Sequence, residues 1–568
     1  MLEVLAKRAG AVEPGFGPKD VRWAIVCDER GTFREVLELG DTDAKRNCGQ
    51  AFPVCPVMDR SVKQSGGKSE FLIDTAANVV LLGVAPEDAK GRAKHDYFVQ
   101  LLREAGQAMP ELAGLVRLLE SQAELERVRE RFIALGARPT ESVTFKLGNA
   151  FPIESDRWHD WWRGKLAELT ADRRAQGAAA GHMVCFATGD RVVPLPTHPK
   201  IKGLARLGGQ RSGDVLVGFD KPAFQSYGLD QSTNAAVSKE AATAYSTALN
   251  ALICKSSYEL AGALVVHWFH YRVKPEEDLF SWLQDPPEGE ERHARQRARD
   301  LLDSIASGQR ADLAGNRYYA LTLSGARGRV MVRDWMEGEF KELAENIRRW
   351  FEDVSIISCD GRIARDPRFL DVIGATARDL NDVAPPFMAK MWRVAVRCEP
   401  IPLAALAHAL ARVKEAVIGN KPFNHARMGL MKAYHIRSSR EDGGKMKPNL
   451  NEEHPAPAYH CGRMMAVLAK LQQAALGDVG AGIVQRYYAA ASATPALVLG
   501  RLVRGGQFHL NKLEPGLAHW YEEKLASISA RLGDGVPQTL SLEEQSLFAL
   551  GYYQQWVDLR TKRSDGSN

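Results

Sequence analysis

The spacing of apolar and polar residues changes character along the chain. VRWAIVCD and TFREVLEL, joined by the turn DERG, predict a β-hairpin, and FLID with NVVLLGV predict a second, because β-branched runs there are broken by turn residues. Apolar positions then recur every three or four residues in HDYFVQLLREAGQAM, in the span ELAGLVRLLESQAELERVRERFIAL and in SDRWHDWWRGKLAEL, which predicts amphipathic helices. In the last of these Trp158, Trp161, Trp162 and Leu166 share one face, the expected core side.

Strand signals return in the middle. MVCFATGDRVVPL predicts a hairpin turning at Gly189 and Asp190, and SGDVLVGFD a further strand. Ser238 is placed to cap a helix from Lys239 to about Cys254, with Glu240 in its first turn. ALVVHWFHYRV reads as a strand, YYALTLSGARGRVMVRDW as a hairpin turning between Gly325 and Gly328, and FKELAENIRRWFEDV as a helix. From about Arg365 the helical period is almost continuous, interrupted by SSREDGGKMKPNLNEEHPAP. The expected fold is α+β: an N-terminal mixed α/β domain with several β-hairpins over residues 1–364, then an all-α C-terminal helical bundle over residues 365–568.

Composition narrows the class. With 568 residues, 45% hydrophobic and 26% charged, the chain exceeds one core and sits near globular averages. Its eight cysteines are scattered without paired spacing, and Cys27 and Cys185 lie in apolar runs, which fits a reducing cytoplasm. MLEVLAKRAG has too few apolar residues for a secretory segment, and no run reaches the length of a membrane span. The chain is expected to be neither exported nor embedded.

Net charge is only +5, from 75 basic and 70 acidic residues, so distribution matters more than total. No Asp or Glu lies between Arg191 and Gly213, a run that holds Lys200, Lys202, Arg206 and Arg211. A second acid-free run holds Lys421, Arg427, Lys432, Arg437 and Arg440. The first flows into FQSYGLDQSTNAAVS, where Gln225, Ser226, Tyr227, Gly228, Gln231, Ser232, Thr233 and Asn234 crowd together. That stretch is either an ordinary surface loop or a reader of base edges beside a phosphate-gripping arm. Gln and Asn offer donor and acceptor together, and Tyr227 or Phe224 can stack or wedge.

Catalytic patterns are thin. SGGKSE contains GKS, but a phosphate-cradling loop needs a glycine where Val62 stands. His267 and His270 are three apart on a strand and face opposite sides. His454, His460 and Cys461 lack a fourth ligand at a familiar spacing. His95-Asp96 and His159-Asp160 have the residue order of metal-dependent nucleases and lie on amphipathic helices without further ligands, so a metal-dependent nuclease or RNA-processing enzyme is the alternative reading. A scaffold that binds only proteins is a third. No cofactor and no metal are expected.

Several segments in order, SVKQSGGKSEFLID, HPKIKGLARLGGQRSGDVLVGFDKPAFQSYGLDQSTNAAVS, YYALTLSGARGRVMVRDWMEGEFKELAENIRRWFEDV, SATPALVLGRLVRGGQFHLNKL and LSLEEQSLFALGYYQQW, resemble the large subunit of the type I-C CRISPR interference complex, Cascade. The resemblance spans most of the chain. It implies a non-catalytic, RNA- and DNA-binding subunit of a prokaryotic cytoplasmic ribonucleoprotein. Such a subunit sits beside the CRISPR RNA handle and the backbone subunits, recognises the protospacer-adjacent motif (PAM) in double-stranded DNA and helps start R-loop formation. A separate helicase-nuclease is recruited in trans, in the service of antiviral defence.

Carried onto matching positions, it implies PAM contacts at Ser65, Gly66, Gly67, Lys68, Gln225, Ser226, Tyr227, Gln231 and Asn234, and phosphate or handle contacts at Lys63, Lys200, Lys202, Arg206 and Arg211. Glu70 puts an acid beside the first group. The C-terminal bundle is implied to resemble the small subunits that line the displaced strand, with Lys421, Arg427, Lys432, Arg437 and Arg440 as its contacts. A small subunit translated internally from the same gene is also implied, starting at Met446 or, second, at Met464.

Overall fold

The computed structural model describes residues 1–9, 13, 15–40, 47, 49–58, 67–177, 182–286, 294–438, 446–477, 479, 482–533 and 535–561, with side chains 170–177 excepted. It forms two compact units, Met1–Lys255 with Gly325–Met331, and Ser256–Ser324 with Val332–Asn568.

The first unit opens with α1 (Leu2–Ala9) and four strands, β1 (Phe16–Val21), β2 (Trp23–Cys27), β3 (Phe33–Glu38) and β4 (Gln50–Pro56). β1 pairs antiparallel with β4. The expected hairpin is β2 and β3. β5 (Asp74–Thr75) leads into α2 (Ala76–Val80), α3 (Ala89–Ala105), α4 (Leu112–Glu120) and α5 (Gln122–Ala134), and β6 (Ser142–Leu147) returns parallel to β2. The four-stranded sheet has the order β3-β2-β6-β5. β2, at its centre, reads WAIVC because a strand covered on both faces needs apolar residues on both.

Two expectations fail here for local reasons. NVVLLGV is the helix α2 and its exit, not a strand: Ala76, Val79 and Val80 are buried, Ala77 and Asn78 half-buried, and a five-residue helix is too short to show its period. The long helical span splits at Ser121, whose extended backbone and Oγ, accepting from the Glu124 N–H at 3.4 Å, cap α5.

α6 (Arg157–Gly177) buries Trp158 and Trp162 completely, as its periodicity predicts, while Trp161 is half-buried. Trp162 stacks on Phe71 with centroids 5.8 Å apart and donates to Gly15 O at 2.7 Å. β7 (Met183–Val184) and β8 (Arg191–Val192) form the expected hairpin. SGDVLVGFD forms no strand: it makes only single bridges, Ile201 with Asp214 and Val215 with Arg329. α7 (Lys239–Lys255) is capped as expected, Ser238 Oγ accepting from the Ala241 N–H at 3.1 Å.

The second unit begins with the sheet of β9 (Ser257–Leu260), β10 (Ala263–Phe269), β11 (Arg317–Ala326) and β12 (Arg329–Glu339), in the order β12-β11-β10-β9. Between β10 and β11 lie α8 (Leu279–Gln284), α9 (Ala294–Ala306) and α10 (Ala311–Ala314). After β12 the described chain is helical: α11 (Phe340–Val354), α12 (Phe369–Gly374), α13 (Pro385–Arg397), α14 (Leu403–Ile418), α15 (His425–Ser438), α16 (Pro457–Leu476), α17 (Ile483–Ala493), α18 (Pro495–Leu510), α19 (Pro515–Ala530) and α20 (Leu542–Thr561). This is the α+β fold expected, mixed first and helical afterwards.

α16 and α20 cross backbone to backbone. A methyl group at Gly462 would lie 1.9 Å from Phe548 O, and one at Gly551 would lie 2.0 Å from Tyr459 O, so only glycine fits at either position. Cys27, Cys55, Cys185, Cys359, Cys398 and Cys461 are free thiols, whereas Cys254 is disulfide-bonded, which the scattered spacing gave no reason to expect. Among the described residues no helix is long and apolar enough to cross a membrane.

Candidate nucleic-acid interface

The polar stretch after Asp220 folds as two short 3-10 turns, Pro222–Phe224 and Gln231–Asn234, with Tyr227, 98% exposed, between them. Tyr227 and Gln231 take left-handed conformations, φ 53° and 50°, which cost non-glycine residues on the order of 1 kcal/mol each. What holds them is Asn234. Its Oδ1 accepts from the Ser226 N–H at 2.9 Å and from Ser226 Oγ at 3.3 Å, and its Nδ2 donates to Leu229 O at 2.6 Å and Gln231 O at 3.0 Å.

Ser232 anchors the base of the loop from below, buried, with Oγ donating to Val217 O at 3.2 Å and its N–H to Pro196 O at 3.0 Å. The amide of Asn234 is therefore spent inside the loop. Among the described residues the side chains of Gln225, Tyr227 and Gln231 have no hydrogen-bond partner.

The basic arm preceding this loop is an irregular lariat closed by reciprocal 2.8 Å hydrogen bonds between Ile201 and Asp214. Ile201, Leu204 and Leu207 turn inward. The acid that ends the run, Asp214, is fully buried and accepts from the Gln210 N–H at 3.0 Å, so it neutralises nothing outside. Lys202, Arg206 and Arg211 are exposed, and among the described residues their side chains have no hydrogen-bond or ion-pair partner. Lys200 donates to Ser212 Oγ at 2.9 Å. Behind the arm His198 is buried, its Nδ1 2.7 Å from Tyr245 Oη, and burial pushes its pKa down to about 4.

Sequence reasoning missed the third component, the turn joining β11 to β12, which belongs to the first unit. A methyl at Gly325 would lie 2.1 Å from Gly209 N, so arm and turn touch through bare backbone. The Arg327 N–H donates to Gly208 O at 3.1 Å, and Val215 exchanges hydrogen bonds of 2.9 and 3.0 Å with Gly328 and Val330. Arg327 is thereby set at the surface beside the arm, with φ 47°. Arg329 lies 4.4 Å over the Phe224 ring and pairs with Asp220, whose carboxyl that bond holds below its usual range. The available signal was SGARGR itself, two arginines around Gly328, which strand patterning used up as a turn.

Of the other candidate reading segment, Lys63, Ser65 and Gly66 lie outside the described residues. Gly67 takes φ 66° and Lys68 is half-buried. Glu70 forms an ion pair with Lys19.

The second acid-free run is corrected by its burial. Arg427, Lys432 and Arg437 belong to α15 and face inward: Arg427 Nε donates to Ala375 O at 2.8 Å, Lys432 Nζ to Glu352 O at 3.2 Å, and Arg437 Nε to Asp353 at 2.6 Å. Lys432 is 1% exposed, and burial pushes its pKa down to about 8. A cation that grips a strand must reach solvent, and of the run's described residues only Lys421 does, 3.5 Å from Glu415. Arg440 lies outside the described residues. Acid-free spacing does not separate a solvated face from an internal polar network.

The candidate metal groups have local employment. His95 is buried with Nδ1 2.9 Å from Val79 O. His159 packs against Phe16 and Trp158, and Asp160 pairs with Arg163 at 2.5 Å. His267 Nε2 is 2.8 Å from Asp278, and His460 Nε2 is 2.6 Å from His454 O. Among the described residues no three His, Cys, Asp or Glu side chains are grouped to hold a metal ion.

Taken together, the first unit carries an ordered polar loop flanked by exposed cationic side chains. The family model of the CRISPR-associated protein Cas_Csd1 matches residues 3–560, and the chain belongs to that family. Membership supports a subunit of a Cascade-type CRISPR complex, its large subunit, acting with other subunits. A search of the curated proteins found no match to the chain.

Proposed function

We propose that this chain is the non-catalytic large subunit of a type I-C complex, and that it recognises the PAM with the loop from Phe224 to Asn234 while the arm and the Arg327 turn hold flanking phosphates. The observation that carries the reading is the division of labour in that loop. Asn234 and Ser232 fix its shape from inside, and the side chains of half-buried Gln225 and exposed Tyr227 and Gln231 are left without hydrogen-bond partners among the described residues. Gln amides match base edges, Tyr227 can enter a base step, and Lys202, Arg206 and Arg211 supply positioning charge.

R-loop initiation, contact with the CRISPR RNA handle, recruitment of a helicase-nuclease and a prokaryotic cytoplasmic setting complete the proposal. They rest on the family. The chain itself cuts nothing in this reading, so Asp96→Asn and Asp160→Asn leave target degradation intact; loss of cleavage in either restores the metal-dependent nuclease.

The small subunit is made from the same gene by starting at Met446. That start keeps α16 to α20 whole, whereas Met464 lies inside α16 and would delete Tyr459 and Gly462, half of the α16–α20 crossing.

The test is the affinity of the reconstituted RNA-containing complex for matched duplexes that differ only in the flanking trinucleotide. Flank dependence erased by Gln225→Ala, Tyr227→Ala and Gln231→Ala together supports the reading. Dependence that survives all three moves recognition to Gly67 and Lys68, and no dependence in the unaltered complex removes PAM recognition from this chain.

A further inference from the structure

One helix spans the distance between the loop and the arm. The base of the loop is tied to the entry of the arm by the Leu195 N–H, which donates to Val237 O at 2.9 Å, and by the Ser232 N–H, which donates to Pro196 O at 3.0 Å. From there residues 195–202 follow α7. His198 meets Tyr245, and at Asn250 one side-chain amide holds two peptide groups at once, Nδ2 donating to Lys200 O at 3.1 Å and Oδ1 accepting from the Lys202 N–H at 2.7 Å.

Those two peptide groups flank Ile201, whose own backbone is bound to Asp214 at the neck of the lariat. Gly203, one residue beyond the clamp, takes φ 95°, and a methyl there would lie 2.7 Å from Ile253 Cγ2, so the backbone stays close against the last turn of α7. Asn250 is half-buried and presents a donor and an acceptor together, as a neighbouring strand would. An apolar side chain offers neither, and an ionised carboxylate only the acceptor.

We propose that Asn250 is a positioning residue for recognition and that α7 sets a spacing: the cations of the arm grip backbone phosphates about five base pairs from the bases the loop reads. Between Ser238, its cap, and Asn250 the helix rises about 18 Å, which is about five steps of B-DNA. Lys202 leaves the clamp directly, and Arg206 and Arg211 follow inside the lariat closed by Ile201 and Asp214, so one anchor serves all three. Phosphate contacts carry register rather than sequence, and register requires that the cations be held in place. The ligand this implies is a duplex that continues past the trinucleotide; pairing with the guide opens the other side, so the grip falls on the flank. The inference rests on the reading of the loop as the PAM reader.

The experiment uses the reconstituted RNA-containing complex and fluorescent duplexes with one target and one trinucleotide, the flank beyond it shortened stepwise from about one helical turn to about two base pairs. Affinity is expected to fall about tenfold as the flank passes below about five base pairs, with a loss of about 2.7 from the slope of log affinity against log salt, three phosphate contacts on B-DNA. Asn250→Ala and Asn250→Leu keep the cations but not their place. They are expected to weaken binding of the longest duplex about threefold, to keep most of the salt slope and to spread the loss over all flank lengths without a step. Asn250→Asp keeps the acceptor for the Lys202 N–H and is expected to recover part of the step. In the unaltered complex, uncharged methylphosphonate links placed one at a time along the flank are expected to weaken binding most at about five base pairs from the trinucleotide.

A step in Asn250→Ala equal to that of the unaltered complex overturns the proposal and leaves Asn250 as packing of α7. So does a methylphosphonate profile with no maximum near that position, a result that needs no variant to fold. A step that persists in a complex indifferent to the trinucleotide supports the spacing and removes the PAM reading; trinucleotide dependence without a step removes this inference alone.

Discussion

Asn234 and its neighbours separate two kinds of residue that a sequence shows as one. Asn234→Ala removes four hydrogen bonds that hold two left-handed residues in place, and we expect it to abolish flank discrimination while lowering the melting temperature by only a few degrees, because the loop is peripheral. Gln225→Ala or Gln231→Ala leaves the loop's shape and costs discrimination alone, about 1–3 kcal/mol per lost base contact. Lys202→Ala, Arg206→Ala and Arg211→Ala weaken all duplexes alike and each reduce the salt slope by about 1. Titration of salt against three flanks distinguishes the three classes; equal losses on every flank from the Gln variants would place them with the phosphate contacts.

At the scale of elements, α15 shows how burial reverses a charge argument. Arg437 compensates the buried Asp353, so Arg437→Met leaves that carboxylate alone and is expected to cost about 3–5 kcal/mol in a urea titration, with strand affinity untouched. Lys432→Met replaces a buried ammonium by an apolar chain of similar size and is expected to cost less than about 1 kcal/mol. The crossing of α16 and α20 is less forgiving: Gly551→Ala drives a methyl into Tyr459 O and should cost about 1–3 kcal/mol or more.

Most elements were legible because their periods are long and regular, as in α6, α11 and the β11–β12 hairpin. What failed was short or unpaired. α2 is a single short turn of five residues, and residues 212–220 are held by single bridges that no alternation encodes. Of the site, the loop and arm were readable as chemistry, but the internal engagement of Asn234, the turn at Arg327 and the inward direction of α15 are tertiary facts.

For the whole molecule, each unit holds a histidine kept neutral by its surroundings, His198 buried and His435 half-buried. Burial pushes His198 in the first and His435, 2.5 Å from Ser546 Oγ, in the second down to about 4. Both folded values lie below the unfolded value near 6.5, so between pH 6.5 and 4 the unfolded chain binds more protons and stability falls as pH falls. We expect at most about 3 kcal/mol from each, seen as melting temperatures that drop across that window, with His198→Gln flattening the drop. Mass spectrometry of the purified complex is expected to find a second product spanning residues 446–568; finding only the full chain removes the internal start.

The stapling of the loop by Asn234 has a further consequence for how recognition can change. A scaffold that keeps its form without help from the residues on its outer rim can exchange those residues without refolding. Positions 225, 227 and 231 thus form a replaceable cassette, and, on the proposed reading, a library that randomises them with Asn234 kept constant should return variants of unaltered stability that prefer other flanks.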